Sequence, residues 1–189
     1  MGPSRHLKVG TKTMRFTLLV AALAATATPA LAQQAPTATD TTSATARGVV
    51  LQAHQLVKAT DLDFGVVTVD PSTAGTVTIS ADAAGARSAT GGVTPLPSSY
   101  QAASFDGLAA PGETVALTIT PPPLNVLVST TNNNDKIAVN SLNLDAGGPS
   151  RVADSTGSFT VYVGGTFGLQ ANQAAGVYTA QFQLTSDYQ

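Results

Sequence analysis

The sequence predicts an all-β protein, built as a two-sheet antiparallel sandwich, and three observations support this. Apolar and polar residues alternate with a period of two, as in Val115, Leu117 and Ile119 with Ala and Thr between them. Clusters of Gly, Pro, Asn and Asp separate such runs at the spacing of short strands. Helical character is confined to residues 52–60 and 171–175, and neither stretch has a capped apolar stripe.

The alternation predicts nine strands, separated by turns. Gly-Gly pairs at 91–92 and 164–165 are among the predicted turns, because glycine adopts the positive φ that bends and bulges require. The predicted strands cover residues 48–54, 64–69, 76–80, 100–106, 114–120, 125–129, 137–144, 158–163 and 177–188.

The last predicted strand is the longest and ends the chain. Tyr178, Ala180, Phe182 and Leu184 alternate with Thr and Gln, so these four side chains are expected on the buried face. Tyr178 follows Gly176 and is predicted to act as a tyrosine corner, anchoring a crossover through its hydroxyl. We expect this strand to close the fold.

The N-terminal region has the pattern of a secretory signal peptide. A basic start at Met14 and Arg15 precedes a short apolar run, and small residues at Ala30 and Ala32 predict cleavage after Ala32. Residues 1–13 are interpreted as an extension from an upstream start. The apolar run is too short to span a bilayer, so the mature chain is expected in the periplasm, at the outer surface or outside the cell.

Cleavage would leave 157 residues, enough for one domain with a single core. Residues 33–46 contain no large apolar side chain and are expected to form a flexible extension before a sandwich domain at 47–189. The mature chain would carry five basic and eleven acidic residues, a net charge of −6. Such a balance argues against nucleic acid and anionic lipid as partners.

The candidate reactive residues favour structural roles, and no catalytic, cofactor-binding or metal-binding residue is predicted. The chain lacks cysteine, and His54 is the only histidine of the mature region, so a triad or imidazole metal site would depend on one residue. Asp61 and Asp63 could pair as carboxylates, but an Asp that caps the turn before Phe64 is the favoured interpretation. The Asn and Asp cluster at 132–135 is likewise interpreted as a turn. The protein is expected to be a non-enzyme.

The order of motifs resembles a known bacterial family. Asp-Leu-Asp-Phe-Gly at 61–65, Thr-Val-Thr-Ile-Ser at 76–80, Pro-Gly-Glu-Thr-Val at 111–115, Val-Tyr-Val-Gly-Gly at 161–165 and the closing Asp-Tyr at 187–188 are similar to the secreted family called domain of unknown function forty-four-oh-two. More distantly, the ending resembles spore-coat-U and fimbrial subunits. That resemblance implies an immunoglobulin-like sandwich that is exported with a chaperone and polymerises by donating an N-terminal strand.

The resulting hypothesis is a fimbria-like structural subunit that assembles with itself or with related subunits by β-strand pairing. Its predicted interface residues are Val49, Leu51, Phe182, Leu184 and Tyr188. The alternative is a monomeric binding module that recognises glycan or protein, with Tyr100 and Tyr162 as candidate stacking residues.

Overall fold

A computed structural model describes residues 41–189, and the signal peptide, the extension at 1–13 and most of the expected flexible extension lie outside the described residues. Residues 47–189 form one compact unit, whereas residues 41–46 carry no secondary structure and are exposed. In the described range the chain forms one short 3-10 turn, Pro123–Asn125, and thirteen strands. The strands are β1 (Gln55–Thr60), β2 (Val67–Val69), β3 (Gly75–Ile79), β4 (Arg87–Gly91), β5 (Val93–Pro95), β6 (Ala103–Leu108), β7 (Thr114–Thr120), β8 (Val126–Ser129), β9 (Lys136–Leu144), β10 (Ser150–Val152), β11 (Ser158–Leu169), β12 (Tyr178–Thr179) and β13 (Gln183–Tyr188).

The largest sheet has the order β1-β6-β11-β9-β8-β12, and every pairing in it is antiparallel. The first half of β11 pairs with β6, and its second half pairs on the same side with β3, which in turn pairs with β4. Two smaller antiparallel sheets have the orders β10-β7-β13 and β2-β5. The all-β prediction with antiparallel sheets is therefore confirmed.

The long strand β11 runs through two cores. In one, which we call the capped half, the β2-β5 sheet covers Val77, Phe167 and Leu169 of the large sheet. In the other, the open half, the β10-β7-β13 sheet covers Phe159 and Val161. A small cluster of Ala103, Phe105 and Val163 joins the two along the large sheet.

The sequence prediction that β11 ends at Val163 in a Gly-Gly turn is wrong. Gly164 and Gly165 are buried inside the strand, which continues to Leu169. A Cβ on Gly164 would lie 2.4 Å from the carbonyl oxygen of Ile79, so glycine is needed here for close approach of the neighbouring β3. The register irregularity lies beside this pair, between Thr166 and Phe167.

Both ends of the predicted domain also differ from expectation. Residues 48–54 form no strand, and the first strand, β1, occupies the stretch that had helical character in the sequence. The predicted single strand at 177–188 is two strands, because residues 180–182 carry the chain from the large sheet to the β10-β7-β13 sheet. Ala180, expected inside, is exposed at this crossing.

Other predictions agree closely with the structure. β7 has the predicted bounds, β8 and β9 differ by one residue at their start, and β3 is shifted by one residue at both ends. The tyrosine corner is confirmed, since the Tyr178 hydroxyl donates to the carbonyl of Ala174 at 2.6 Å. No helix within residues 41–189 has the length and hydrophobicity needed to span a membrane.

Candidate functional site

An exposed apolar stretch precedes the first strand. In residues 48–52, which we call the apolar segment, Val49 is 69% exposed, Val50 97% and Leu51 42%. The segment belongs to no strand, and none of these three residues joins a core cluster. In extended backbone, Val49 and Leu51 point to one side and Val50 to the other.

The adjoining strand β1 lies at an edge of the large sheet. It pairs with β6 on one side, and no described strand pairs with its other side. Leu56 packs inward, whereas Val57 is outward and 60% exposed. Beside Val57, the outer face has a depression of about 380 Å³ that also includes Leu108 and Asp106.

The three predicted interface residues near the C-terminus pack into the chain's own core. Phe182 meets Phe105 edge to face with ring centroids 6.2 Å apart. Leu184 contacts the core of the open half, and Tyr188 packs against the same cluster. The side chains of Phe182, Leu184 and Tyr188 are thus half-buried. The feature of β13 that stays available is its main-chain edge, since β7 is its one partner among the strands of residues 41–189.

Tyr188 ties the chain's own N-terminal part to this region. Its hydroxyl donates to the carbonyl of Gln52 at 2.6 Å and accepts from the amide of Ala110 at 2.8 Å. The His54 ring packs edge to face on Tyr188 with centroids 5.3 Å apart. Residues 52–54 and the Leu56 side chain therefore fill the flank between β1 and β13.

The opposite flank of the open half has a hollow of about 440 Å³ between β7 and β9, which we call the β7-β9 hollow. It exists because β10 is short: β10 pairs with Thr114 to Ala116, and β7 continues beyond it. On the facing strand, β8 pairs only with the start of β9, so residues 139–144 extend past it. The lining residues carry no charge and are Leu117, Thr118, Ile119, Leu142, Asn143, Leu144, Gly148 and Pro149.

The main chain of β7 faces this hollow. The amide of Leu117 donates to the carbonyl of Pro149 at 2.7 Å, so the backbone groups of Leu117 point to the β10 side. With a period of two, those of Ile119 point the same way, and no main-chain partner for them is found there among residues 41–189. Sequence reasoning missed this site, because alternation identifies strands without revealing which of their edges stay unpaired.

The remaining candidate residues have structural partners. Asp63 accepts from the amide of Gly65 at 2.8 Å, which confirms the turn-capping interpretation, and Asn132 accepts from the amide of Asn134 at 3.1 Å. The face of Tyr100 is covered by the Arg87 guanidinium, 4.4 Å from the ring centroid. In the described part of the chain, His, Asp and Glu side chains nowhere gather in threes as metal ligands would.

A protein-family model described as "Domain of unknown function (DUF4402)" matches residues 55–188, which is the stretch from the start of β1 to the end of β13. This is the first of the families that the sequence motifs resemble. No curated protein and no solved structure is significantly similar to the chain.

Proposed function

The chain belongs to the DUF4402 family, and we propose that it is an exported, non-enzymatic structural subunit that assembles by β-strand pairing between copies. In this proposal the compact unit is an immunoglobulin-like sandwich with unpaired edges. Export follows from the signal-peptide pattern of residues 14–32. The apolar segment of one subunit supplies a strand to the next.

The observation that carries the proposal is the exposure of three consecutive apolar residues in a stretch without a strand partner. Full burial of a Val or Leu side chain stabilises a folded or assembled state by about 1.5 to 3 kcal/mol. Burial of the exposed Val49, Val50 and Leu51 side chains in an interface would therefore contribute substantially to the free energy of assembly. Contiguous exposed apolar surface of this kind marks interaction sites. Gly48 and Gln52, the end residues of the segment, are uncharged, so burial of the segment would desolvate no charge.

Unpaired sheet edges supply the other requirement. An extended peptide gains main-chain hydrogen bonds when it adds to an exposed edge, and alternate side chains then enter pockets beneath it. The edges of β1 and β13, and the ends of β7 and β9, are all unpaired among the described strands. One molecule thus offers both a donor stretch and acceptor edges, which is the minimum needed for open-ended assembly.

Sedimentation velocity of the purified mature protein tests the proposal. We expect the native chain to form oligomers that grow with concentration. The double variant Val49→Asp/Leu51→Asp should sediment as a folded monomer, since strand addition would bury two carboxylates. The matched control is Val177→Asp. The exposed fraction of Val177, 65%, is similar to that of Val49, but Val177 lies just before β12, outside the open half.

The control should assemble as the native chain does, and far-ultraviolet circular dichroism should be unchanged in both variants. A native chain that stays monomeric at every concentration would contradict the proposal and favour a binding module. Assembly by Val49→Asp/Leu51→Asp at the native level would contradict it as well.

A further inference from the structure

We infer that the β7-β9 hollow is the place where the apolar segment of a second copy docks. The inference rests on the proposed strand-pairing function. That function requires an acceptor for the donated strand, and the inference identifies which unpaired edge is the acceptor. Two flanks of the open half present unpaired edges, and they differ in what lies beneath those edges.

At the flank between β1 and β13, the space between the two sheets has no room for new apolar side chains. Leu56 and Leu184 pack there in the same core clusters, and Tyr188 is hydrogen-bonded to Gln52 and stacked against His54. A strand added at this flank would gain main-chain hydrogen bonds but would leave Val49 and Leu51 without a pocket.

The β7-β9 hollow offers what the other flank lacks. Leu117, Ile119, Leu142 and Leu144 supply apolar walls, and no charged residue lines it. The hollow is widely open to solvent, and its space of about 440 Å³ leaves room for side chains such as Val and Leu to lie against these walls. Burial of uncharged apolar groups against such walls is favourable.

The main chain of the hollow also matches a strand. Ile119 directs its backbone groups to that side, and residues 139–144 of β9 extend past β8. Six residues of β9 span about 20 Å and the five-residue apolar segment about 17 Å at about 3.3 Å per residue. Donor and acceptor thus correspond in length, in charge and in apolar character.

A second copy is the occupant that the connectivity favours. Gln52, the last residue of the segment, is tied to Tyr188 of β13, and β7 lies between β13 and the hollow in the sheet order. The segment's own chain would have to cross the sheet to fill its own hollow. A neighbouring copy meets no such restriction, and repetition of the contact produces a head-to-tail series.

Disulfide trapping between two single-cysteine proteins tests the inference, and the absence of native cysteine makes the test clean. Val50→Cys is placed in one protein and Asn143→Cys in a second with a mass tag. Both positions are exposed, and in an extended segment Val50 points to the side opposite Val49 and Leu51. The control pair combines Val50→Cys with tagged Thr185→Cys, an exposed position on β13.

After mild oxidation, we expect about tenfold more tagged heterodimer with Asn143→Cys than with Thr185→Cys, because a disulfide needs Cα atoms within about 7 Å. Preferential capture by Thr185→Cys, in samples that still sediment as oligomers, would overturn the inference while leaving the proposed function intact. Absence of both heterodimers in samples that sediment as monomers would overturn both. A further protein carries Val50→Cys and Asn143→Cys in the same chain. If it forms only an intramolecular disulfide, the segment docks in its own chain, and the inference that a second copy is the occupant is overturned.

Discussion

The capped and open halves share β11, but different sheets cover its two ends. In the capped half, the short β2-β5 sheet is fastened to the large sheet by Arg87, which donates to the carbonyl of Leu96 at 2.7 Å and of Phe64 at 3.1 Å. In the open half, longer strands cover the core, yet edges of β1, β7, β9 and β13 lack strand partners among the described residues. The outer edges of β2, β4, β5 and β12 in the capped half are also unpaired among the described strands, but these are shorter strands. In our proposal it is the longer edges of the open half that a partner completes.

The two cores should contribute equally to stability even though only one is open. Phe159 and Phe167 are both buried on β11, one in each half. Phe159→Ala and Phe167→Ala are each expected to lower the free energy of unfolding by about 3 to 5 kcal/mol. Urea unfolding should stay a single transition in both variants, because β11 couples the cores. Two separate transitions would show that the halves fold independently.

Arg87 is expected to hold the β2-β5 sheet onto the capped half. Besides the carbonyls of Phe64, Val66 and Leu96, its guanidinium donates to the Ser98 hydroxyl at 3.2 Å. Arg87→Lys keeps the charge but has no fork to reach these acceptors together, so we expect a loss of about 2 kcal/mol in urea unfolding. Hydrogen exchange should quicken in β2 and β5, and assembly should be unchanged. Loss of assembly in Arg87→Lys would contradict the division of roles between the halves.

In the open half, substitution of Tyr188 is expected to have a smaller effect on stability. Tyr188→Phe keeps the ring on His54 but removes the bonds to Gln52 and Ala110, which should lower stability by about 1 kcal/mol. The expected local result is faster amide exchange in residues 52–54. Unchanged exchange in those residues would show that the hydroxyl does not hold the N-terminal stretch in place.

The smallest predicted effect concerns the turn that leads into β11. The Asp154 carboxylate accepts hydrogen bonds from the hydroxyl of Thr156 and from the amides of Ser158 and Thr156. These bonds lower the pKa of Asp154 below the usual 3.8. A lowered pKa in the folded state means that these bonds stabilise the turn above about pH 4 and are lost as pH falls through the folded pKa. A carboxyl NMR titration should place the Asp154 midpoint below 3.8, and Thr156→Val should raise it. An unmoved midpoint in Thr156→Val would contradict this origin.

Alternation predicted the strands whose two faces differ, and it failed where other constraints govern the chain. The strands β7 and β9 carry regular apolar positions that predict them. By contrast, β4 has no large apolar residue, and β5 and β10, with three residues each, are too short to show a period. The Gly164 and Gly165 pair was interpreted as a turn because glycine's second role, close approach between strands, depends on a neighbour that is distant in sequence.

The candidate site was predictable in part. Val49 and Leu51 are predicted interface residues from their place beside the expected extension, and this stays a prediction; the structure adds that both are exposed and lie outside any strand. The β7-β9 hollow was not predictable, since it arises from the early end of β10 and the offset of β8 on β9. Pairing offsets of this kind are set by tertiary packing rather than by local sequence.

The central claim is that the open half carries the interface. Its most direct test compares amide hydrogen exchange in the assembled protein with that in the Val49→Asp/Leu51→Asp monomer. The account predicts that assembly protects amides in residues 48–52, at Ile119 and in residues 139–144, while β2 and β5 exchange at the same rate in both states. Protection gained in β2 and β5, with none in the open half, would contradict it.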